Sequence, residues 1–248
     1  MQFELLNPNS AYPRARLVDP PPYGYLHLAA AVAPPSGPPL VRTDAARSAL
    51  LDRLKPLATA LQGQPAVRRV TVYRALVVPP PGGYARQPRF HPARFDVAVL
   101  VETDTPEDLG PVAAGEAYGE LAAAVAGAAT DTHELRARCA RSLGEVDRSR
   151  PGLFLFNHFV AEDREVALEL WDHLAGWYVR KTGLDNSTLL EPLEGTEADY
   201  VFVNHARWDT GALRLLLRQV SRPSFRGYVQ QNLLVNRVGA MPVLYRMT

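Results

Sequence analysis

From residue 152 onward the chain runs strand, helix, strand, strand, helix, strand, and this order restricts the fold more than any other feature. Residues 152–160 form an apolar run interrupted only by Asn157 and His158, the pattern of a buried strand. Asp163 opens a helix in which Val166, Leu170, Leu174 and Tyr178 recur every four residues and so share a face. Gly183 stops it in the position that favours a left-handed residue. A short strand over 187–193 and a turn at Gly195 lead to a second apolar run, 200–208, which carries Asn204, His205 and Trp208. Asp209 or Thr210 then caps a helix through Leu213, Leu216, Leu217 and Val220, Pro223 breaks it, 225–234 resume it, and 241–247 make a last strand.

The first half has a similar order. Residues 23–32 fit a strand between two Pro-rich stretches. Thr43 reads as an N-cap with Asp44 in the first turn, and Ala46, Leu50, Leu54, Leu57 and Leu61 follow at helical spacing up to Gly63. Pro56 is expected to bend or split that helix. Residues 69–78 and 95–102 read as strands, separated by the breaker 79–83 and a polar loop over 84–92. Pro106 sits at the tolerated first position of a helix running through Tyr118, Leu121 and Val125. Residues 128–150 fit a strand, a helix or a connector equally well. Each half therefore matches the ferredoxin-like split βαβ unit. Such a unit covers one sheet face with helices and leaves the other open, and a second unit can cover the open face. The expectation is an α+β fold, two tandem ferredoxin-like (βαββαβ) units closing an α+β barrel within one chain. Residues 1–42 would be a Pro-rich extension holding a candidate first strand, 43–150 the first unit and 151–248 the second.

Composition narrows the function classes. Twenty-seven basic and 26 acidic residues leave a net charge of +1, so no overall excess points to nucleic acid or to an anionic membrane. The single cysteine, Cys139, excludes an internal disulfide framework and a cysteine zinc site. The start of the chain lacks a basic segment followed by an apolar one, and no apolar run approaches the roughly 20 residues that span a bilayer, so a cytoplasmic location is expected. No His-x-His or His-Glu-x-x-His occurs, and Gly82-Gly83 lies in a Pro-rich turn rather than a nucleotide-binding loop. Metal and cofactor are both expected to be none; a weaker facial metal site would join His158 and His205 to Asp96 or Glu102. His91 and His173 read as loop and surface residues.

The two Asn-His pairs place amides and imidazoles where a buried strand should be apolar, and buried polar groups need partners. Strand alternation separates each pair. Leu155, Asn157 and Phe159 share one face of the first run, with Phe154, Phe156 and His158 on the other; Asn204 and Trp208 share one face of the later run, with His205 opposite. Alternation does not say which face is the cavity.

The stretch from Val203 to Asp209, followed by Ser221-Arg-Pro-Ser-Phe225-Arg226, resembles the dimeric α+β barrel superfamily, and within it the antibiotic biosynthesis monooxygenase branch, over residues 152–248. In that superfamily, cofactor-free oxygenases of aromatic polyketide quinones use an Asn and a Trp in the cavity. Heme-degrading relatives use an Asn on the first strand, a Trp ending the third, and a His on the last helix as iron ligand. Asn157 and Trp208 match by element and order, but the last helix reads Arg226-Gly227-Tyr228-Val229 and lacks the His. The resemblance favours the face with Asn157, Asn204 and Trp208 as the cavity and turns both histidines toward the covering helices.

The candidate catalytic residues are thus Asn157, Asn204, Trp208, His158 and His205. The amides would hold a phenolate or enolate oxygen, Trp208 would supply an apolar wall, and an imidazole would take the proton. The resemblance implies a cofactor-independent monooxygenase-like protein with a small aromatic or polyketide-like substrate. The alternatives are a polyketide cyclase or isomerase in the same pocket and a non-catalytic ligand-binding or dimerisation module. The expected partners are the small-molecule substrate and a second copy in a homodimer, with no nucleic acid and no membrane.

Overall fold

Among the described residues eight antiparallel strands close into a barrel, and six helices lie outside it in two groups. The computed structural model describes residues 2–9, 11–195 and 198–248. The first unit comprises β1 (Gly24–Ala31), α1 (Ala45–Gln62), β2 (Val67–Val77), a two-residue strand β3 (Gly82–Gly83), β4 (Val97–Thr103), α2 (Leu109–Ala114), α3 (Glu116–Ala126) and β5 (Asp131–Gly144). The second comprises β6 (Leu153–Ala161), α4 (Arg164–Thr182), β7 (Ser187–Pro192), β8 (Phe202–Trp208), α5 (Ala212–Val220), a π-helical turn (Phe225–Gln230), α6 (Gln231–Val235) and β9 (Val238–Met247). Strand order is β2-β4-β1-β5 in the first and β7-β8-β6-β9 in the second, the same ferredoxin-like arrangement twice. The β5–β7 and β2–β9 pairings join the two sheets and leave no open edge in the barrel.

Alternation decides the layers. One cluster draws Tyr25, Tyr73, Leu100, Leu135, Phe154, Phe156, Val203 and Tyr245 from the strands and nothing from the six helices, so it fills the barrel. The opposite faces of β1, β2 and β4 pack Leu26, Leu28, Val72 and Val99 against α1–α3, and those of β6, β8 and β9 pack against α4–α6. Residues 128–150 resolve into β5 because their charged residues alternate with the buried His133, Leu135, Ala137 and Cys139.

Four local expectations change, one of them at α5, whose N-cap is Gly211 rather than Asp209 or Thr210. Helix α1 runs unbroken through Pro56, because Pro56 lies on the exposed face, where the carbonyl it leaves unbonded reaches water, while Leu50, Leu54, Ala58 and Leu61 hold the helix to the sheet. Asp44, rather than Thr43, is its N-cap, accepting from the Arg47 amide. The helix after Thr105 begins as a 3-10 turn with a Thr105–Asp108 capping box, then breaks at the extended Gly115 into α2 and α3.

The N-terminal segment straps the second helix group. Asn236 accepts from the Glu4 amide at 2.9 Å and donates to the Glu4 carbonyl at 2.7 Å. Asn232 does the same with Leu6, at 2.7 and 3.0 Å. Each buried amide thereby satisfies two main-chain groups of an irregular segment. Among the described residues no helix is long and apolar enough to cross a membrane.

Candidate functional site

Asn157 on β6 and Asn204 on β8 are directly opposed residues of one antiparallel pair, so their amides lie side by side. Trp208 ends the same face of β8, four residues on. This face looks out of the barrel toward α4, where a recess of about 50 Å³ is lined by Leu155, Asn157, Phe159, Trp171, Leu174, Asn204 and Trp208. The recess shares Asn157, Tyr178, Trp208, Val229 and Leu233 with a larger cleft of about 560 Å³, which opens between α5, the π turn, α6 and the Pro79–Pro81 loop. A cavity of this size is in the range used by small-molecule sites.

The polar groups in the recess are few and oriented. Ser187, at the start of β7, donates from its hydroxyl to Asn204 Oδ1 at 2.5 Å. That contact fixes the Asn204 amide and leaves its N–H2 end without a protein partner among the described residues. Asn157 presents the complement: its Oδ1 is buried and accepts from nothing. An acceptor and a donor thus stand next to each other at the inner end of an apolar cleft. Trp208 is locked by its indole N–H, which donates to Thr182 Oγ1 at 3.1 Å, and Thr182 in turn donates to the Tyr178 carbonyl at 2.7 Å. Tyr178 lines both volumes, and burial raises the pKa of its hydroxyl, which therefore stays protonated and can only donate or accept as a phenol. Among the described residues no carboxylate and no imidazole lines either volume; the charged lining residues are Arg86 and Arg226, both at the exposed rim.

The histidines lie on the other side of the sheet. The expectation that they face the covering helices is overturned: His158 and His205 point into the barrel, and it is Asn157, Asn204 and Trp208 that face the helices. His205 stacks on Phe156 with ring centroids 4.3 Å apart, and its nitrogens meet the Leu155 carbonyl at 3.1 Å and the Tyr73 hydroxyl at 3.3 Å. His158 contacts the Met241 carbonyl through Nδ1 at 3.4 Å, while its Nε2 is buried without a partner. His27 and His133 join them inside the barrel with both ring nitrogens unpartnered. Burial is the first cause in each case and holds His158 and His205 down to about 3 and His133 down to about 4. The barrel is packed shut around them by Phe154 and Phe156, so the sheet separates the imidazoles from the cleft.

Of the two carboxylates weighed as metal partners, Asp96 is bonded by Arg47 Nη1 at 2.7 Å and Glu102 pairs with Arg148. Among the described residues no group of three or more His, Cys, Asp or Glu is arranged to hold a metal ion. His91 is held by two carboxylates, Asp131 at 2.7 Å and Asp199 at 2.8 Å. It anchors the Pro-rich loop at one end of the barrel. Tyr228, in the segment read as lacking an iron-ligand His, is buried against Tyr12 and does not line the cleft.

The sequence did not single out Ser187 or Thr182 as parts of the site. Ser187 begins the strand paired to β8, two register positions from Asn204's own partner Leu189, which is a tertiary relation. Thr182 follows Tyr178 by four residues on α4, and that spacing was legible as a continuation of the buried face.

No family model matches the chain, and no curated protein matches it. Solved structures do. An anthrone oxidase-like protein aligns with a TM-score of 0.62 at 14% identity, covering 91% of this chain and 91% of that one. A candidate monooxygenase from Fusobacterium nucleatum subsp. nucleatum aligns with a TM-score of 0.53 at 9% identity, again over 91% of each chain. These similarities, with the closed eight-stranded barrel, show an α+β barrel fold built from two ferredoxin-like units.

Proposed function

We propose that the cleft beneath α5 and α6 is a substrate site, and that the chain is a cofactor-independent monooxygenase-like protein acting on a small aromatic or polyketide-like molecule. The observation that carries this reading is the paired Asn157 acceptor and Asn204 donor at the inner end of an apolar cleft. A hydroxyl beside a carbonyl, as in a phenol–ketone or enolised diketone, satisfies both at once. Asn157 Oδ1 takes the hydroxyl proton's hydrogen bond, and the Asn204 N–H2 donates to the neighbouring oxygen. As that oxygen gains negative charge, the Asn204 contact strengthens, which is how a positioned donor lowers a barrier. An electron-rich carbanion so held can reduce oxygen directly. In the overall change a CH2 becomes a carbonyl, one oxygen atom joins the carbon, and the other leaves as water with the two hydrogens. The names of the two solved relatives, anthrone oxidase-like and monooxygenase, agree with that class.

Among the described residues the cleft lining has neither imidazole nor carboxylate and so supplies no general base. The substrate must then be acidic enough to lose its proton to water, as activated aromatic carbon acids are. The same absence favours a second reading, a binding protein that sequesters such a molecule without turning it over.

Oxygen uptake with an anthrone or a dihydroxynaphthalene separates these. Turnover that falls about a hundredfold in Asn204→Ala supports the enzyme. Rearranged product without oxygen uptake assigns a cyclase or isomerase. Saturable binding with neither change assigns the binding protein, and binding unaltered in both Asn157→Ala and Asn204→Ala removes the site.

A further inference from the structure

Near-zero net charge conceals a segregated segment. Every Asp and Glu lies at or before Asp209, and residues 210–248 contain none. Within that stretch Arg214, Arg218, Arg222 and Arg226 recur every four residues through α5 and the π turn. Among the described residues none of the four meets a carboxylate, whereas several other surface arginines do, as Arg14 with Glu169 and Arg89 and Arg237 with Glu162.

The same segment exposes its aliphatic side chains. Leu213 is 72% exposed, Leu217 58%, Val220 56% and Leu234 55%. On α5 the first three are spaced to share one face, while only Leu215 is buried, against Trp208 and Leu155. The arginine row occupies the flank of that face. Val220 and Leu234 also line the cleft, so the exposed apolar face is continuous with the cleft mouth.

We propose that the outer face of α5 and the π turn docks on an anionic phospholipid surface, with Leu213, Leu217 and Val220 entering the headgroup boundary and the cleft mouth set against the lipid. An amphipathic helix with arginines beside aliphatic residues has the composition of an interfacial element, and the arginine stems can lie along the apolar boundary while their heads reach phosphate. The charge pattern selects this occupant. A two-fold contact with a second copy would bring two acid-free arginine rows together with no carboxylate between them. Because α5 is short, its three side chains alone anchor weakly, so attachment depends on headgroup charge and is reversible. This docking is independent of what the cleft does with its ligand.

The test is co-sedimentation of the full chain with vesicles of phosphatidylglycerol and phosphatidylcholine in equal parts, against vesicles of phosphatidylcholine alone. Binding is expected to the first and not the second, and to weaken as salt is raised. R214Q/R218Q should lower partitioning about thirtyfold, and L213S/L217S by at least roughly tenfold. Neither pair lines the cleft, and unchanged thermal melting verifies that both variants fold. Equal binding to both vesicles, no binding to either, or wild-type partitioning in both variants overturns the proposal. A dimer in light scattering that L213S/L217S dissociates, without vesicle binding, assigns the face to a second copy. Retention on an immobilised polyglutamate without vesicle binding assigns it to an acidic protein.

Discussion

Asn157 and Asn204 occupy the same rung of the β6–β8 ladder, one with an unpartnered buried oxygen and the other with its oxygen taken by Ser187. Two identical side chains thereby present opposite polarities to one recess. The arrangement holds a polar group in an unsatisfied state that a ligand can relieve, and this sets up the first prediction.

Asn157→Leu should stabilise the free protein while destroying the site. Removing a buried acceptor without a partner relieves a penalty of about 1–2 kcal/mol, and leucine suits the surrounding Leu155, Leu174 and Trp208. Urea denaturation should show a higher midpoint than wild type, and ligand titration should show lost affinity. A lower midpoint would mean that Asn157 already has a partner and is structural.

The buried imidazoles should make the protein acid-sensitive well above the carboxylate range. His158, His205 and His133 are held down to about 3, 3 and 4, first by burial and next, for His158, by His133 and, for His205, by Arg148. His27 lies well below its usual value, by burial first and then by His158 and His133. The unfolded chain takes up protons near 6.5, which the native barrel refuses down to about 3. Stability should therefore fall as pH drops from about 6.5, losing roughly 2 kcal/mol per fully excluded imidazole between pH 7 and pH 5. His91 works with the opposite sign. Burial pulls it down, but Asp199 and Asp131 outweigh burial and raise it, so its contribution is full below 6.5 and fades as pH rises through its native value. Denaturation midpoints across this range should show the acid limb flatten in His27→Leu, and the alkaline fade vanish in His91→Gln.

Arg148 and Glu102 form a buried ion pair inside the barrel, with side chains 4% and 7% exposed. Arg148→Met alone strands a buried carboxylate and should cost about 3–5 kcal/mol. The double variant Arg148→Met with Glu102→Gln should recover most of that loss. A double variant as unstable as the single one would show that Arg148 acts through packing against Tyr73 and Tyr25 instead.

Gly176→Ala should release the N-terminal strap. A Cβ at Gly176 would stand 1.8 Å from the Pro13 carbonyl oxygen, a distance no neighbour can tolerate without moving. Because the obstacle is main chain, the segment at Pro13 and Ala15 must lift from α4. Limited proteolysis should then cut ahead of residue 18 in the variant and leave wild type intact. Equal resistance in both would place the strap's anchorage wholly on Asn232 and Asn236.

Much of this molecule was legible in order and period. The βαββαβ succession, the α4 face at Val166, Leu170 and Leu174, the Gly183 stop and the separation of each Asn from its adjacent His all follow from local rules that neighbouring residues express alone. Pro56 misled because a local rule prices the missing hydrogen bond without knowing that its carbonyl faces water. β5 escaped because its outward charged residues erase a continuous apolar run, leaving only alternation in a charged stretch.

The sequence by itself determined that Asn157, Asn204 and Trp208 share one face and His158 and His205 the other, because a strand's alternation is a property of its own backbone. Strand alternation leaves open which face holds the cavity, and tertiary structure decides it. Both faces are apolar, and only closure of two sheets into one barrel packs the histidine face solid with Phe154 and Phe156. The space that remains lies between the sheet and α4–α6, and it is there that the two amides meet the cleft.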